Sequence, residues 1–232
     1  MNDVPPLVTL HVWRVPRRAL GGALLRMALD RRRLRALPGV RFGKLLGTGT
    51  GTGFGPGDAD PTRYAAVVAW DDPAGGELGR VAAAWDALAD GSARLELTPL
   101  TSRGSWSGQT PFGTPRGRTE GAVLALTRAR LRPARALTFW RAVPPVAREL
   151  AAAPGLLARF GVGEAPVGWQ GTVSVWRSET DLTAFAYRQP EHRAVIARTP
   201  AARWYAEELF ARFAVRGISG DKAVLGWREG ER

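Results

Sequence analysis

Two histidines, His11 and His192, are the only imidazole side chains of the chain, so histidine-dependent chemistry must use one or both of them. If the segment around His192 is helical, Val195 and Ile196 lie on the same face as its imidazole. A histidine among apolar neighbours suits a haem-iron ligand, and the same pattern suits a packed core residue or a surface residue at a helix start. His11 lies on one face of a predicted strand, where we expect a structural role.

Cationic and aromatic side chains supply the remaining candidates. Lys44, Arg103 and Arg198 can hold carboxylates, such as haem propionates, through charge-assisted hydrogen bonds, and they are equally compatible with ordinary surface charges. The nine tryptophans can line an aromatic cavity for a long apolar ligand or pack in the core. The candidate substrate-pocket residues are Phe54, Trp106, Trp140, Trp176 and Trp204. The carboxylates show no compelling pairing, and no serine-nucleophile, zinc-helix or Walker motif is present.

Glycine and threonine alternate over residues 47–53 and lead into Phe54-Gly55-Pro56. This run is not a dinucleotide fingerprint, because the sixth position of each possible frame is not glycine and no helix follows. It predicts either a flexible surface loop or the rim of a cavity, where glycine lets the backbone approach a ligand closely.

The composition excludes several classes of protein. The chain has 232 residues, a net charge of +12 and no cysteine, which excludes disulfides, iron–sulfur clusters and thiolate-ligated haem. The charge favours contact with anions, but no nucleic-acid-binding module accompanies the arginines, so we expect no nucleic-acid partner. Neither a signal peptide nor an apolar run long enough to span a membrane is evident, so we expect a cytoplasmic protein.

The hydrophobic pattern repeats in two halves. In the first half it predicts strands at residues 7–15, 64–70 and 94–101, and helices at 20–37 and 78–89. In the second half it predicts strands at 122–131, 168–176 and 213–218, a helix at 136–150 kinked at Pro144-Pro145, and two short helices separated by Pro190 and Pro200. Pro38-Gly39 and Pro154-Gly155 end the first helix of each half.

This order predicts an α+β fold of tandem ferredoxin-like repeats whose sheets face each other in a dimeric α/β-barrel-like architecture. The predicted division is an N-terminal repeat at residues 1–103, a linker at 104–120, a C-terminal repeat with the candidate haem site at 121–220, and a tail at 221–232. A cavity between one sheet and its helices is a natural ligand site. The linker begins at Arg103-Gly104-Ser105-Trp106-Ser107-Gly108, which carries more functional side chains than a spacer needs.

Several segments resemble the spheroidene monooxygenase family of carotenoid ketolase-type oxygenases. They are residues 43–51 leading to Gly53-Phe54, the Arg-Gly-x-Trp-Ser-Gly run with Pro111-Phe112, and residues 136–141, 161–166 and 207–213. The resemblance follows the chain in order over nearly its whole length.

The resemblance implies a haem b-binding, iron-dependent monooxygenase on a tandem dimeric α+β barrel. It makes His192 the haem ligand, beside Val195 and Ile196, and Arg103 or a pocket water the group on the opposite face. The substrate would be a carotenoid or another apolar metabolite, hydroxylated to a ketone with electrons from an external donor. Such a substrate implies peripheral contact with an anionic membrane, and the architecture is compatible with a homo-oligomer. The alternatives are a haem lyase of the aldoxime-dehydratase type and a non-catalytic binder of haem or a lipophile.

Overall fold

A computed structural model describes residues 4–51, 56–72, 76–164, 169–188 and 202–228. Within these residues the first half contains β1 (Leu7–Arg14), α1 (Leu20–Arg35), β2 (Val40–Gly49), β3 (Ala59–Trp70), α2 (Arg80–Asp86) and β4 (Gly91–Gly104). The second half contains β5 (Val123–Leu131), α3 (Ala136–Ala152), β6 (Leu156–Gly163), β7 (Trp169–Trp176), α4 (Glu179–Arg188) and β8 (Tyr205–Gly220). Each half therefore has the same order of elements.

The strands form one closed antiparallel barrel in the order β1-β3-β2-β6-β7-β5-β8-β4, which confirms the predicted α+β class. Two seams join the halves. β4 and β8 pair over residues 93–104 and 209–220, whereas β2 and β6 pair over residues 47–49 and 161–163. No helix in the described part of the chain combines the length and the apolar character needed to cross a bilayer.

Alternation along the strands sends one set of side chains into the barrel and the other towards the helices. On β1, Val8, Leu10 and Val12 point inwards, while Thr9 and Trp13 point outwards. The core of the interior is aliphatic and aromatic, and its larger members include Phe42, Leu46, Leu95, Phe160, Leu209 and Phe213.

Both ends of the barrel are closed by segments outside the strands. The connection between the halves inserts Trp106 and Phe112, both fully buried, against Phe42 and Phe213. At the other end a short 3-10 turn, Lys222–Leu225, buries its last two residues in the same core. The prediction that residues 221–232 form a simple tail was therefore wrong for this turn.

The predicted strands at 7–15 and 122–131 and the helices at 20–37 and 136–150 are confirmed to within a few residues. The prediction missed β2 and β6, whose glycine-rich ends have low strand propensity in isolation but pair with each other across the seam. It also began β8 too late: residues 207–212 belong to the strand, and they carry the helix-favouring composition Glu-Glu-Leu-Phe-Ala-Arg. The segment 47–49, expected in a loop, is strand as well.

Candidate functional site

The outer faces of the two half-sheets are covered very differently. Under α1 and α2 the first-half sheet is packed with large, fully covered aromatic side chains, namely Trp13, Tyr64, Trp70 and Trp85. The second-half sheet presents small side chains to its helices: Ala125, Thr127 and Ala129 on β5 and Thr172 on β7, all only half-buried. Solvent therefore reaches this sheet surface, which we call the second-half cleft.

Helix α3 covers the second-half cleft unevenly. Val143, Ala147 and Leu150 in its C-terminal part are buried, whereas Phe139 and Trp140 near its start are half-buried. The Trp140 indole Nε1 donates to Gln170 Oε1 on β7 at 3.4 Å. The open part of the cleft thus lies between the first turns of α3 and the β5–β7 pair.

The other end of the same sheet surface is filled. Trp176, Leu182 and Phe185 form a buried cluster, with the Trp176 and Phe185 rings 5.2 Å apart and the Trp176 Nε1 donating to Ser174 Oγ at 2.9 Å. This packing limits the cleft in the direction of α4.

Aromatic residues before β8 border the start of α3. The Trp204 indole Nε1 donates to Thr138 Oγ1 at 3.1 Å, and the Phe139 ring packs edge-on against Trp204 and Tyr205. Burial, aided by the charge of Glu208, raises the pKa of Tyr205 to about 12, so this phenol stays protonated at neutral pH.

Five predicted site residues lie outside the described residues. His192, Val195, Ile196 and Arg198 fall within 189–201, and Phe54 falls within 52–55. In the part of the chain that the structure describes, no group of three or more histidine, cysteine or carboxylate side chains could hold a metal ion.

Arg103 lies at the edge of the second-half cleft. Its strand neighbour on β8 is Phe210, whose neighbour on β5 is Thr127, so the three side chains form a row across one face of the sheet. The exposed guanidinium of Arg103 stacks on the Phe210 ring, 4.2 Å from its centroid. Of the residues predicted for the site, Arg103, Trp140, Trp176 and Trp204 therefore border one surface.

A second polar group lies inside one end of the barrel, on the opposite face of the sheet. Arg128, which is 3% exposed, bridges two carboxylates: its Nη2 donates to Glu164 Oε1 at 2.8 Å and its Nη1 to Glu207 Oε2. Two carboxylates thus share one guanidinium, an arrangement that the spacing of acidic residues in the sequence did not indicate. We call these residues, with Lys44 and Trp106, the barrel-end network.

Lys44 and Trp106 both converge on Glu164. The Lys44 Nζ donates to Glu164 Oε2 at 2.7 Å and to Ser107 Oγ at 2.7 Å, and the Trp106 Nε1 donates to Glu164 Oε1 at 2.7 Å. Burial alone would raise the pKa of Glu164, but these hydrogen bonds and the charges of Lys44 and Arg128 outweigh it and lower the pKa. The carboxylate partner of Lys44 in the structure is therefore a protein side chain.

Glu207 binds the turn of the central motif. Its Oε1 accepts from the Gly108 backbone N–H at 2.8 Å and from Ser105 Oγ at 3.2 Å. Burial would raise its pKa, but the backbone hydrogen bond from Gly108 and the interaction with Arg128 lower it to about 2. Both carboxylates of the network are thus ionised at neutral pH.

The Arg-Gly-x-Trp-Ser-Gly run owes its shape to left-handed backbone at three positions. Gly104 has φ +87°, and a Cβ there would lie 2.1 Å from the Glu208 carbonyl oxygen. Ser107 and Gly108 have φ 55° and 73° in the tight turn closed by the pair Trp106–Gln109. The motif therefore folds the connection so that Trp106 enters the barrel.

Sequence reasoning missed Arg128, Glu164 and Glu207. Strand alternation offered one usable signal, because Leu124, Leu126 and Arg128 fall on one face of β5 and the first two are core residues. Nothing in the local sequence indicated that Glu164, which directly follows β6, and Glu207 on β8 would meet there.

The other histidine of the chain, His11, lies on β1 in the first half of the barrel and not at the second-half cleft. His11 lies in the outer layer of the first half, stacked on Trp13 at 5.7 Å, and its Nε2 has no hydrogen-bond partner among the described residues. Burial, reinforced by the charge of Arg94, lowers its pKa to about 3. His11 is therefore a neutral core residue, as expected.

No family model matches the chain. It is 34% identical over 226 residues to spheroidene monooxygenase of Rhodobacter capsulatus, covering 93% of this chain and 92% of that protein. It is 36% identical over 188 residues to spheroidene monooxygenase of Rubrivivax gelatinosus, covering 79% and 72%. The chain belongs to the spheroidene monooxygenase family. It is accordingly an oxidoreductase, and the family resemblance seen in its motifs is confirmed.

Among solved structures, the fold is similar to that of an aldoxime dehydratase in complex with butyraldoxime, with a TM-score of 0.62 at 13% identity over 93% of this chain and 81% of that one. A second aldoxime dehydratase structure gives a TM-score of 0.58 at 13% identity over 90% and 80%. At this identity the likeness concerns the fold alone.

Proposed function

We propose that the chain is a haem-dependent monooxygenase that acts on a carotenoid, such as spheroidene, and binds haem in the second-half cleft. The observation that carries the site is the difference between the two half-sheets: tryptophans fill the first, whereas alanine and threonine leave the second open under the start of α3. Family membership supports the reaction, since the relatives are named for the oxygenation of spheroidene.

The described side chains of the cleft fit a large, flat, apolar group. Ala125, Thr127 and Ala129 give a floor without bulky side chains, and Phe139 and Trp140 supply an aromatic wall. In this proposal they hold the faces of haem b, and His192 ligates the iron with Val195 and Ile196 beside it. The segment that contains His192 joins α4 to Trp204, and Trp204 contacts α3 at the wall of the cleft.

When bound, the haem would supply an iron centre at which dioxygen is reduced. With two electrons and two protons from an external donor, that chemistry would place one oxygen atom in a substrate C–H bond and release the other as water. A second hydroxylation at the same carbon would give a geminal diol, and loss of water from the diol would give a ketone. The residues of the cleft position the apolar substrate and exclude bulk water.

Arg103 has a positioning role in this proposal. The guanidinium of Arg103 has several N–H donors and no acceptor, so it can donate hydrogen bonds to an anionic group or an ordered water at the edge of the cleft. Lys44 as a ligand of a haem carboxylate stays a prediction, as does Arg198. The proposal also treats the two halves, with their shared order of elements, as ferredoxin-like repeats.

The test is the absorption spectrum of the full chain produced with a haem supply. His192→Ala should lose or shift the Soret band, whereas His11→Phe, which removes the other imidazole but keeps a ring on Trp13, should retain it. A colourless wild type that ignores added haemin would refute the haem site.

Product analysis then distinguishes the reactions. Oxidation of a carotenoid that requires both dioxygen and a reductant supports the monooxygenase. Dehydration of an aldoxime by the reduced protein without dioxygen would support the lyase instead, and no turnover of either class would leave a binding protein.

A further inference from the structure

The outward face of α1 carries apolar side chains that the protein itself does not cover. Leu24, Leu25 and Leu29 are 64%, 56% and 44% exposed, although the opposite side of the helix is buried through Ala23 and Leu34. We call these three residues the α1 leucine face. Apolar side chains clustered in this way on one element mark an interaction surface more often than isolated ones do.

Arginines stand at both ends of the α1 leucine face. Arg17 and Arg18 precede the helix, and Arg31, Arg32 and Arg35 occupy its last turns, all of them exposed. Among the described residues, none of these five guanidinium groups forms a salt bridge with a carboxylate; Arg31 and Arg35 donate only to backbone carbonyls. The positive charge is therefore available to a partner.

The one acidic residue of α1 does not offset this charge at the surface. Asp30 is 1% exposed and is paired with Arg33 at 3.0 Å and with Arg26 at 3.8 Å. The helix thus shows solvent an apolar N-terminal half and a basic C-terminal half, with no outward carboxylate.

We propose that α1 is a docking surface for a lipid bilayer that contains anionic headgroups. The leucines would enter the boundary between headgroups and acyl chains, and the flanking arginines would reach the lipid phosphates. This inference rests on α1 alone and holds whether or not the second-half cleft binds haem, although a carotenoid substrate would reside in such a bilayer.

The charge around the α1 leucine face favours a bilayer over a second copy of the chain as its partner. If two copies paired through their leucine faces, the arginines at the ends of both helices would be brought together, and the chain as a whole carries a net charge of +12. An anionic bilayer offers an apolar interior for the leucines and negatively charged headgroups for the arginines, so it complements both features of this helix.

The test is co-sedimentation of the full chain with phosphatidylcholine vesicles that contain or lack phosphatidylglycerol. We expect binding only with the anionic lipid, weakened by salt. Replacing Leu24, Leu25 and Leu29 together by Gln should weaken it about tenfold or more. Replacing Arg17, Arg18, Arg32 and Arg35 by Gln should weaken it by on the order of fivefold for each charge removed.

Control variants test whether the loss of vesicle binding depends on where the arginines and leucines lie and not only on the charge and apolar surface removed. Gln at the exposed positions Arg116, Arg118, Arg148 and Arg177 removes the same charge elsewhere, and Leu137→Gln removes a leucine that is as exposed as Leu24. Both control variants should bind nearly as the wild type does. Equal losses in the arginine control, equal binding to neutral vesicles, or no binding by the wild type would overturn the proposal.

Self-association is tested on the same proteins. A wild type that sediments as a dimer in solution, with a leucine-to-glutamine variant that sediments as a monomer, would assign the α1 leucine face to a second copy of the chain and overturn membrane docking. Thermal unfolding of each variant establishes that its fold is retained, as expected for exposed positions.

Discussion

Within the barrel-end network, we expect substitution of Arg128 to lower the free energy of unfolding more than substitution of any other single residue. It is 3% exposed and bridges Glu164 and Glu207, whose side chains are 14% and 11% exposed. Replacing it with Met keeps a long apolar stem but leaves two ionised carboxylates without their shared guanidinium. Breaking a buried ion pair by removing one partner typically costs about 3 to 5 kcal/mol.

The structure points to the lower end of that range. Glu164 keeps the Lys44 ammonium at 2.7 Å after the substitution, whereas Glu207 keeps hydrogen bonds from Ser105 and from the backbone of Ser107 and Gly108 but no cation in this network. We therefore expect a loss of about 3 kcal/mol, most of it arising at Glu207. For a chain of this length that corresponds to a drop of about 6 to 12 °C in Tm.

Denaturant unfolding monitored by tryptophan fluorescence measures this loss, and a second substitution identifies its source. Glu207→Gln removes the unpaired charge but keeps acceptors for the turn, so the Arg128→Met/Glu207→Gln double variant should regain about 1 kcal/mol or more over Arg128→Met. Arg148→Met, at an exposed arginine on α3 outside the network, is the control. A loss as small as that of the control, or strictly additive effects in the double variant, would refute the reasoning.

Three other predictions concern single side chains. The pKa of His11 is about 3 in the folded protein and near 6.5 in the unfolded chain, so its contribution is constant above pH 6.5 and is lost as pH falls towards 3. Unfolding at pH 7.5 and pH 5 should differ by about 2 kcal/mol more in the wild type than in His11→Phe, and equal pH dependence would exclude a buried neutral imidazole. Gly104→Ala should cost at least about 2 kcal/mol because its Cβ would meet a carbonyl oxygen, whereas Gly108→Ala, also at positive φ but with nothing within 4 Å, should cost about 1 kcal/mol. Leu225→Ala should cost about 2 to 5 kcal/mol in thermal or denaturant unfolding, while the exposed Lys222→Ala should change little; a stability unaffected by Leu225→Ala would restore the view of this segment as a tail.

Sequence patterns predicted the elements whose residues carry their own periodicity. The alternation in β1 and β5 and the helical spacing in α1 are local properties, and the structure confirms them. β2 and β6 were missed because their glycine-rich ends become strands through pairing with each other, more than 110 residues apart in the chain. Propensity within a short window cannot contain that information.

The candidate site, too, could be predicted only in part from local sequence. A ligand site between a sheet and its helices was predicted, but sequence could not tell which half-sheet is open, because Trp70 and Ala129 both read as ordinary apolar strand residues. The barrel-end network escaped prediction because its members come from three strands, the residue after β6 and the connection between the halves. Only the stagger of the closed barrel brings Glu164 and Glu207 to the same guanidinium.

The two seams between the halves differ in length, so we expect the barrel to open more easily between β2 and β6 than between β4 and β8. The seam between β4 and β8 is long and bears side chains throughout its core, whereas the described seam between β2 and β6 is short and pairs Gly47 and Gly49 with Gly163 and Gly161. Of the three residue pairs in this seam only Thr48–Val162 has side chains, so separating these strands sacrifices less side-chain packing than separating β4 from β8 would. Amide protons along this short seam should exchange with solvent at a lower free energy than those of the long seam, and the long seam would then act as the hinge of a clamshell.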